Sequence, residues 1–382
     1  MGTALAWLQL ARERLRLLVA VAGVAFAVIL IFMQLGFQAA LFDSSVRFHN
    51  RLNGEVFLIS PQTSYLVNMT SFPRRRLYQA LGFPGVESVS AVYASLAAWK
   101  NPDTGETRQI FVAGFDPSKS VFEMPGVKAN SRAIRFPDAV LYDEAARPEF
   151  GPIAAEFKQG RRIETEVSNR HINVVGLFEM GTSFGIDGML ITSDLNFLRI
   201  FRNRNPGLID IGVVRLTPGA DPVAIRDALA ARMPNDVNVL TKPDFIAHEQ
   251  KYWGSTTPIG YVFTFGVIMG LIVGTIIVYQ ILFANVADHL AEYATLKAMG
   301  YTNAYLFGVV IQQALILEVL GFVPGVFISW YLYRLTADAT HLPMQITLNM
   351  TLFVFGLTVV MCCVSGAIAL RKIRSADPAE IF

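Results

Sequence analysis

Cysteine and charge are both scarce in this sequence. Its two cysteines, Cys362 and Cys363, are adjacent and sit inside an apolar run. Neighbours on a helix point apart, which argues against a disulfide or metal site there and leaves two small packing residues. The stretch between the first two long apolar runs has no cysteine, which fits an oxidising compartment. Only 16% of residues are charged against 53% hydrophobic, with a mean hydropathy of +0.42. A soluble chain carries more charge, so part of this one must lie in an apolar solvent. A net charge of +2 is too small for a nucleic-acid partner.

Catalytic motifs are missing too. No Gly-Lys pair occurs, so no phosphate-cradling G-x-x-x-x-G-K-[ST] loop exists and the chain does not hydrolyse ATP by that route. His248-Glu249 begins like a zinc-protease helix, but Tyr252 stands where the second histidine is needed. Gly181-Thr-Ser183-Phe-Gly185 matches G-x-S-x-G, yet Gly188 and a strand-like run follow instead of a helix. A glycine-rich hairpin or lobe-tip loop fits better than a nucleophile elbow. Asn68-Met-Thr70 is a glycosylation triplet of little force. No catalytic residue, metal site or cofactor of its own is expected.

What is present is apolar length. Four runs reach the roughly 20 residues that a bilayer crossing needs: 17–42, 254–287, 301–333 and 342–370, with Glu318 the one charge inside them. The first is too long for a cleaved signal peptide and reads as a retained helix. Residues 41–258 hold 24 of the 32 Lys/Arg and 23 of the 30 Asp/Glu, so a soluble-like domain sits between the first two spans. Arg12, Arg14, Arg16, Lys297, Arg371, Lys372 and Arg374 lie on one side of the short flanks and Arg334 on the other. The positive-inside rule then places both termini in the cytoplasm and 43–253 outside. The expected fold is a four-span α-helical membrane protein carrying a large α+β extracytoplasmic domain.

Within the outer domain, 76–93 and 224–240 each read as helix, turn, strand, preceded by strands at 55–59 and 211–216, a βαβ-type lobe over 43–137 and 203–253. Residues 138–202 alternate and are expected to form an inserted β-rich lobe. Residues 41–52 and 245–253 could extend the first two spans as stalks. Arg74-Arg75-Arg76 reads as a solvated helix start or as a contact for an acidic partner or lipid headgroups.

Three segments carry functional information. In residues 1–16, Trp7 and nearby leucines interleave with Arg12, Arg14 and Arg16, the pattern of an amphipathic helix on the inner membrane face among lipids. Glu318 sits mid-span, where a carboxylate costs about 2.5–3.5 kcal/mol. A lone carboxylate makes a poor proton relay, the alternative role, so it is expected to act as a polar clamp facing Gln312, Gln313, Tyr279 or Gln280, with Gly321, Pro324 and Gly325 permitting close packing and a kink. The loop 288–300 is helix-prone, with Leu290, Tyr293, Leu296 and Met299 on one face and Glu292 and Lys297 elsewhere. A short rigid helix ending at Gly300 between two spans is the physical form of a coupling helix pushed by a partner. The 334–341 loop on the other side is short.

This arrangement resembles the MacB/FtsX-type ABC permeases. Their loop typically reads R-E-x-G-x-L-[KR]-A-[ILM]-G, and this chain has Ala291-Glu292-Tyr293-Ala294-Thr295-Leu296-Lys297-Ala298-Met299-Gly300, departing at Ala291 and Ala294. Glu318 with Gly321 and Gly325, and the tail Asp377-Pro-Ala-Glu-Ile-Phe382, are similar to further family patterns. The opening run from Ala6 and the 292–300 loop are similar to the DevC subfamily. The resemblance implies a half-transporter that forms a homodimer and pairs with two copies of a separate ATPase, which binds the ATP and magnesium. It further implies a periplasmic membrane-fusion protein, an outer-membrane channel and export of glycolipid or another amphiphile. The ATPase would dock on Glu292 to Gly300 and on the N-terminal helix. An FtsX-like signalling or scaffold protein acting on a periplasmic partner is the alternative. A secondary transporter would need more spans and more intramembrane polar groups.

Overall fold

The computed structural model describes residues 6–8, 10 and 14–375. The chain separates into two compact units: Leu41–Thr257 with His341–Pro343, and the remaining, largely helical segments. In chain order, α1 covers Arg14–Ser45 and α2 covers Arg47–Arg51. Strands β1 (Val56–Ile59) and β2 (Phe72–Pro73) lead to α3 (Arg75–Leu81), then β3 (Val86–Lys100) and β4 (Thr107–Phe115). There follow α4 (Pro125–Ala129), β5 (Ala139–Asp143), α5 (Ile153–Lys158), β6 (Ile163–Val167), β7 (Arg170–Phe178) and β8 (Met189–Ser193). Next come α6 (Asp194–Ile200), β9 (Leu208–Ile209), β10 (Ile211–Leu216), α7 (Pro222–Ala230), β11 (Asn238–Thr241) and α8 (Lys242–Lys251). The long helices α9 (Pro258–Asp288), α11 (Asn303–Thr340) and α12 (Leu348–Ser375) complete the chain, with the short α10 (Leu290–Ala298) between the first two.

The outer unit is built on one nine-stranded sheet of order β11-β1-β10-β3-β4-β8-β5-β7-β6. Its first four strands are the two units read from the sequence, β1-α3-β3 and β10-α7-β11, interleaved so that β10 lies between β1 and β3. This is the split βαβ arrangement. Alternation decides the two faces. Val56, Leu58, Ala91 and Tyr93 bury on the side covered by Leu77, Phe197 and Leu229 of the helices. Phe57, Ile59, Val92 and Ala94 bury on the other, against Phe48 and Phe245. Both faces are covered, so the core is three layers deep.

The insertion differs from the separate 138–202 lobe expected. It begins with β4, which pairs with β3 from Val92↔Phe115 to Lys100↔Thr107, so both parts share the 15-residue β3. A bridge between Trp99 and Val167 returns the edge strand β6 to β3 and curls this half towards a barrel. Sequence alternation sets each strand's faces but not its neighbours, which long-range pairing selects. Arg76 departs from the solvated reading: it is buried and holds Asp236 through Nε and Nη2 at 2.9 and 2.6 Å. The expected stalks are interrupted, α1 giving way to α2 at Val46 (φ −101, ψ 2). Beyond α8, a π-helical turn over Tyr252–Thr256 ends at the extended Thr257.

Among the described residues, four helices are long and apolar enough to cross a membrane: α1, α9, α11 and α12. The 38 residues of α11 reach about 57 Å at 1.5 Å per residue, well beyond a ~30 Å hydrocarbon core. The loop expected at 334–341 is therefore helical through Thr340, and Arg334 stacks on Trp330 at 3.9 Å. Pro324 lies inside this helix without ending it. Glycines set how closely α11 meets α1. A β-carbon on Gly321 would fall 2.5 Å from Val24 Cβ, and one on Gly325 2.7 Å from Val28 Cγ1.

Candidate functional site

The 288–300 segment forms a helix because its apolar residues recur at helical spacing and both ends are closed. At its start His289 leaves the helical region (φ −102, ψ 17), and its Nδ1 lies 2.9 Å from the Asn285 carbonyl oxygen. At its end Gly300 has φ +93; its amide donates to the Lys297 carbonyl and the Tyr301 amide to that of Leu296. These are the two bonds of a Schellman turn, whose left-handed position favours glycine.

Tyr293 anchors the helix. It is 1% exposed and packs with Val286, Leu306, Val310 and Leu370, with Leu296 and Tyr305 partly buried beside it. This cluster draws on α9, α10, α11 and α12, so α10 is wedged at the end of the bundle. Met299, expected on the same face, is 63% exposed, because the helix ends at Ala298 and the Schellman turn carries it outward. Glu292, Lys297, Ala298 and Gly300 are exposed as well. Arg16 pairs with Asp288, joining the start of α1 to the end of α9. Both side chains are over a third exposed, and such a pair contributes only ~0–1 kcal/mol. Arg14 and Arg16 thus belong to α1; Arg12 and most of the expected 1–16 surface helix lie outside the described residues, while Trp7 is helical and 45% exposed.

Glu318 is buried, but its partners are not those expected. The Thr358 hydroxyl and the Cys362 thiol, both on α12, donate to its two carboxylate oxygens, Cys362 at 3.3 Å. Gln313 instead accepts from Asn285 at 3.0 Å. Helix phase explains the correction: Glu318, Gly321 and Gly325 are all buried on α11, but only tertiary packing brings α12 opposite the carboxylate. Cys362 is accordingly a weak donor as well as a packing residue.

Among the buried acids of the outer unit, Asp143 and Glu249 took environments that residue order did not reveal. Glu249 is 3% exposed and accepts from the Leu66 amide and Trp253 Nε1, each at 2.9 Å. Burial pushes its carboxyl up to about 7, against the pull of those two donors. Its neighbour His49, with Nε2 at 3.7 Å, is fully buried, and burial pushes its imidazole down to about 3, helped by the nearby His248. Burial thus opposes the charged form of both groups. Asp143, at the end of β5, accepts from Met180 and Gly181 amides at 3.0 Å each, and burial raises its carboxyl to about 6. No local motif marks His49 or Asp143, and the partial zinc-protease pattern at His248-Glu249 does not foretell the burial of Glu249. Ser183 is turned to structure: its Oγ accepts from the Gly185 and Ile186 amides at 3.3 and 3.1 Å, and β8 follows the loop. No group of metal-ligating side chains occurs among the described residues.

Comparison with known families matches residues 17–232 to the MacB-like periplasmic core domain and residues 264–378 to the FtsX-like permease C-terminal domain. No curated protein matches the sequence. Among solved structures, the chain is similar to the periplasmic region of MacB from Actinobacillus actinomycetemcomitans, at 9% identity, covering 50% of this chain and 91% of that one with a TM-score of 0.36. It is also similar to the extracellular domain of YknZ, a noncanonic ABC-type transporter from Gram-positive bacteria, at 15% identity, 49% and 98% coverage and a TM-score of 0.33. A domain of a putative permease from Porphyromonas gingivalis matches at 19% identity, 50% and 90% coverage and a TM-score of 0.30.

Proposed function

This chain belongs to the MacB/FtsX-like ABC permeases, and from that premise we propose that it is the mechanical half of an ATP-driven exporter. Members of the family are membrane subunits without an ATPase domain of their own and work with a separate ABC ATPase, often with periplasmic partners. In our reading the chain forms a homodimer in the inner membrane and binds two copies of that ATPase. A membrane-fusion protein and an outer-membrane channel complete the exporter, and its cargo is a glycolipid or another amphiphile.

The observation that carries this reading is α10. A connector between two spans needs only to turn the chain. This one is a closed helix, keyed into the bundle by the buried Tyr293 and stopped by a Schellman turn, with Glu292, Lys297, Ala298 and Met299 outward. A lever must be stiff and must present a surface to its driver, and these residues satisfy both conditions. The ATPase would close on this surface, move α9 and α11 together, and pass the motion along the chain to the outer domain.

The test is affinity purification of the full chain followed by ATPase assay. Wild-type protein should retain an ATPase, and Met299→Asp, an exposed position, should lose it while folding normally. Retention by the variant with unchanged ATP hydrolysis would overturn the coupling role. A retained membrane-fusion protein would favour export; its absence alongside a retained cell-wall regulator would favour the signalling reading.

A further inference from the structure

The G-x-S-x-G loop between β7 and β8 has no catalytic geometry, yet it is braced from several sides. Three segments that border membrane spans meet it. Arg47 of α2, which follows α1, donates from Nη1 to the Met180 carbonyl at 3.4 Å and lies under Gly181, whose φ is +85. Trp253, which precedes α9, lies against Gly185, where a β-carbon would fall 3.2 Å from its Cζ2. Thr182, fully buried, donates from Oγ1 at 2.9 Å to the carbonyl of His341, the residue that follows α11. His341 itself holds φ +60, an unfavourable value for a residue with a β-carbon, and Leu342 beside it is 8% exposed. The connector is thus seated in the outer unit by a defined conformation.

On its other side the loop is fixed to the sheet. Asp143 at the end of β5 accepts from the Met180 and Gly181 amides, and Ser183 closes the turn on its own backbone. The Gly188 carbonyl accepts from the Phe111 amide of β4 at 3.0 Å. Displacement at Arg47 or His341 therefore has a short, hydrogen-bonded route into β4 and β5, with β7 and β8 joined to the loop through the chain and Trp253 bearing on it by packing.

We propose that the Met180–Gly188 loop is the joint through which motion of the chain leaving α11, and of the segments bordering α1 and α9, enters the nine-stranded sheet. Thr182 is the positioning residue of that joint. The proposal rests on the coupling function proposed above and specifies where its motion is received.

The experiment is hydrogen exchange on the full chain with its co-purified ATPase in lipid nanodiscs, nucleotide-free and trapped with magnesium, ATP and vanadate. In wild type, exchange over 180–188 should change on trapping together with that over 41–51 and 245–257. Thr182→Val removes one hydrogen bond and should raise exchange in the loop about fivefold before trapping. A purely structural role predicts that and no more; a joint also predicts that β5, β7 and β8 lose their response to trapping, while ATPase binding and the response of 41–51 persist. Thr182→Ser should restore it. If the strands respond equally in Thr182→Val, the joint is overturned and the coupling reading survives. If no outer segment responds in wild type, the coupling reading falls and the joint with it.

Discussion

Replacing Gly321 by alanine tests the packing of α11 directly. The added β-carbon would lie 2.5 and 2.6 Å from Val24 Cβ and Cγ1 and 3.1 Å from the Val21 carbonyl oxygen. Val24 is β-branched and cannot swing away freely, and a backbone oxygen cannot move without its helix. The helices must therefore separate, an overpacking cost of about 1–3 kcal/mol, offset by the ~0.5–1 kcal/mol that alanine gains over glycine within a helix. The net destabilisation is about 0–2.5 kcal/mol, centred near 1, by this difference of two terms. Gly308, on the same helix, has nothing within 4 Å of its β-position, so Gly308→Ala should keep the helix gain alone. The two variants thus differ in sign and by about 2 kcal/mol, roughly thirtyfold in the unfolding equilibrium. The assay is titration of the purified chain with SDS in mixed micelles, followed by circular dichroism. If Gly321→Ala proves as stable as Gly308→Ala, the close contact between α1 and α11 is refuted.

Other outcomes follow from the same coordinates. Gly300→Val should cost about 1–2 kcal/mol through the left-handed backbone alone, and Gly300→Asn less, read as loss of helicity in 290–298 by hydrogen exchange. Arg76→Lys should destabilise the outer unit by about 1–2 kcal/mol, since an ammonium cannot reproduce the two-pronged hold on Asp236; chemical denaturation measures this. The buried pair makes the outer unit's stability depend on pH in opposite ways. His49, lowered from 6.5 to about 3, adds stability as pH rises across that window, whereas Glu249, raised from 4.5 to about 7, removes it as pH rises across its own. The two slopes oppose each other between pH 4.5 and 6.5, and above 6.5 only the loss from Glu249 continues. Asp143, raised from 3.8 to about 6, also removes stability across its window, so Glu249→Gln should abolish the decline between pH 6.5 and 7 and turn the profile upward relative to wild type from pH 4.5. A denaturation series in which wild type and variant run parallel would refute this assignment.

Much of the architecture is local in origin and was therefore legible in residue order. Apolar runs of fixed length mark the four spans, because a bilayer demands that length whatever the neighbours are. The repeat of helix, turn and strand at 76–93 and 224–240 marks the two interleaved βαβ units, and the spacing of Tyr293 and Leu296 before Gly300 marks a stopped helix. Which strand lies beside which was not legible: β3 is shared by both halves of the sheet, a pairing between residues far apart in the chain. The same holds for Glu318, whose partners Thr358 and Cys362 stand 40 and 44 positions away. Periodicity shows that a side chain faces inward, but only packing decides what meets it. His49 and Asp143 carry no motif, and the partial pattern at His248-Glu249 points to chemistry that is not there. Their chemistry comes from burial, and burial belongs to the assembled fold.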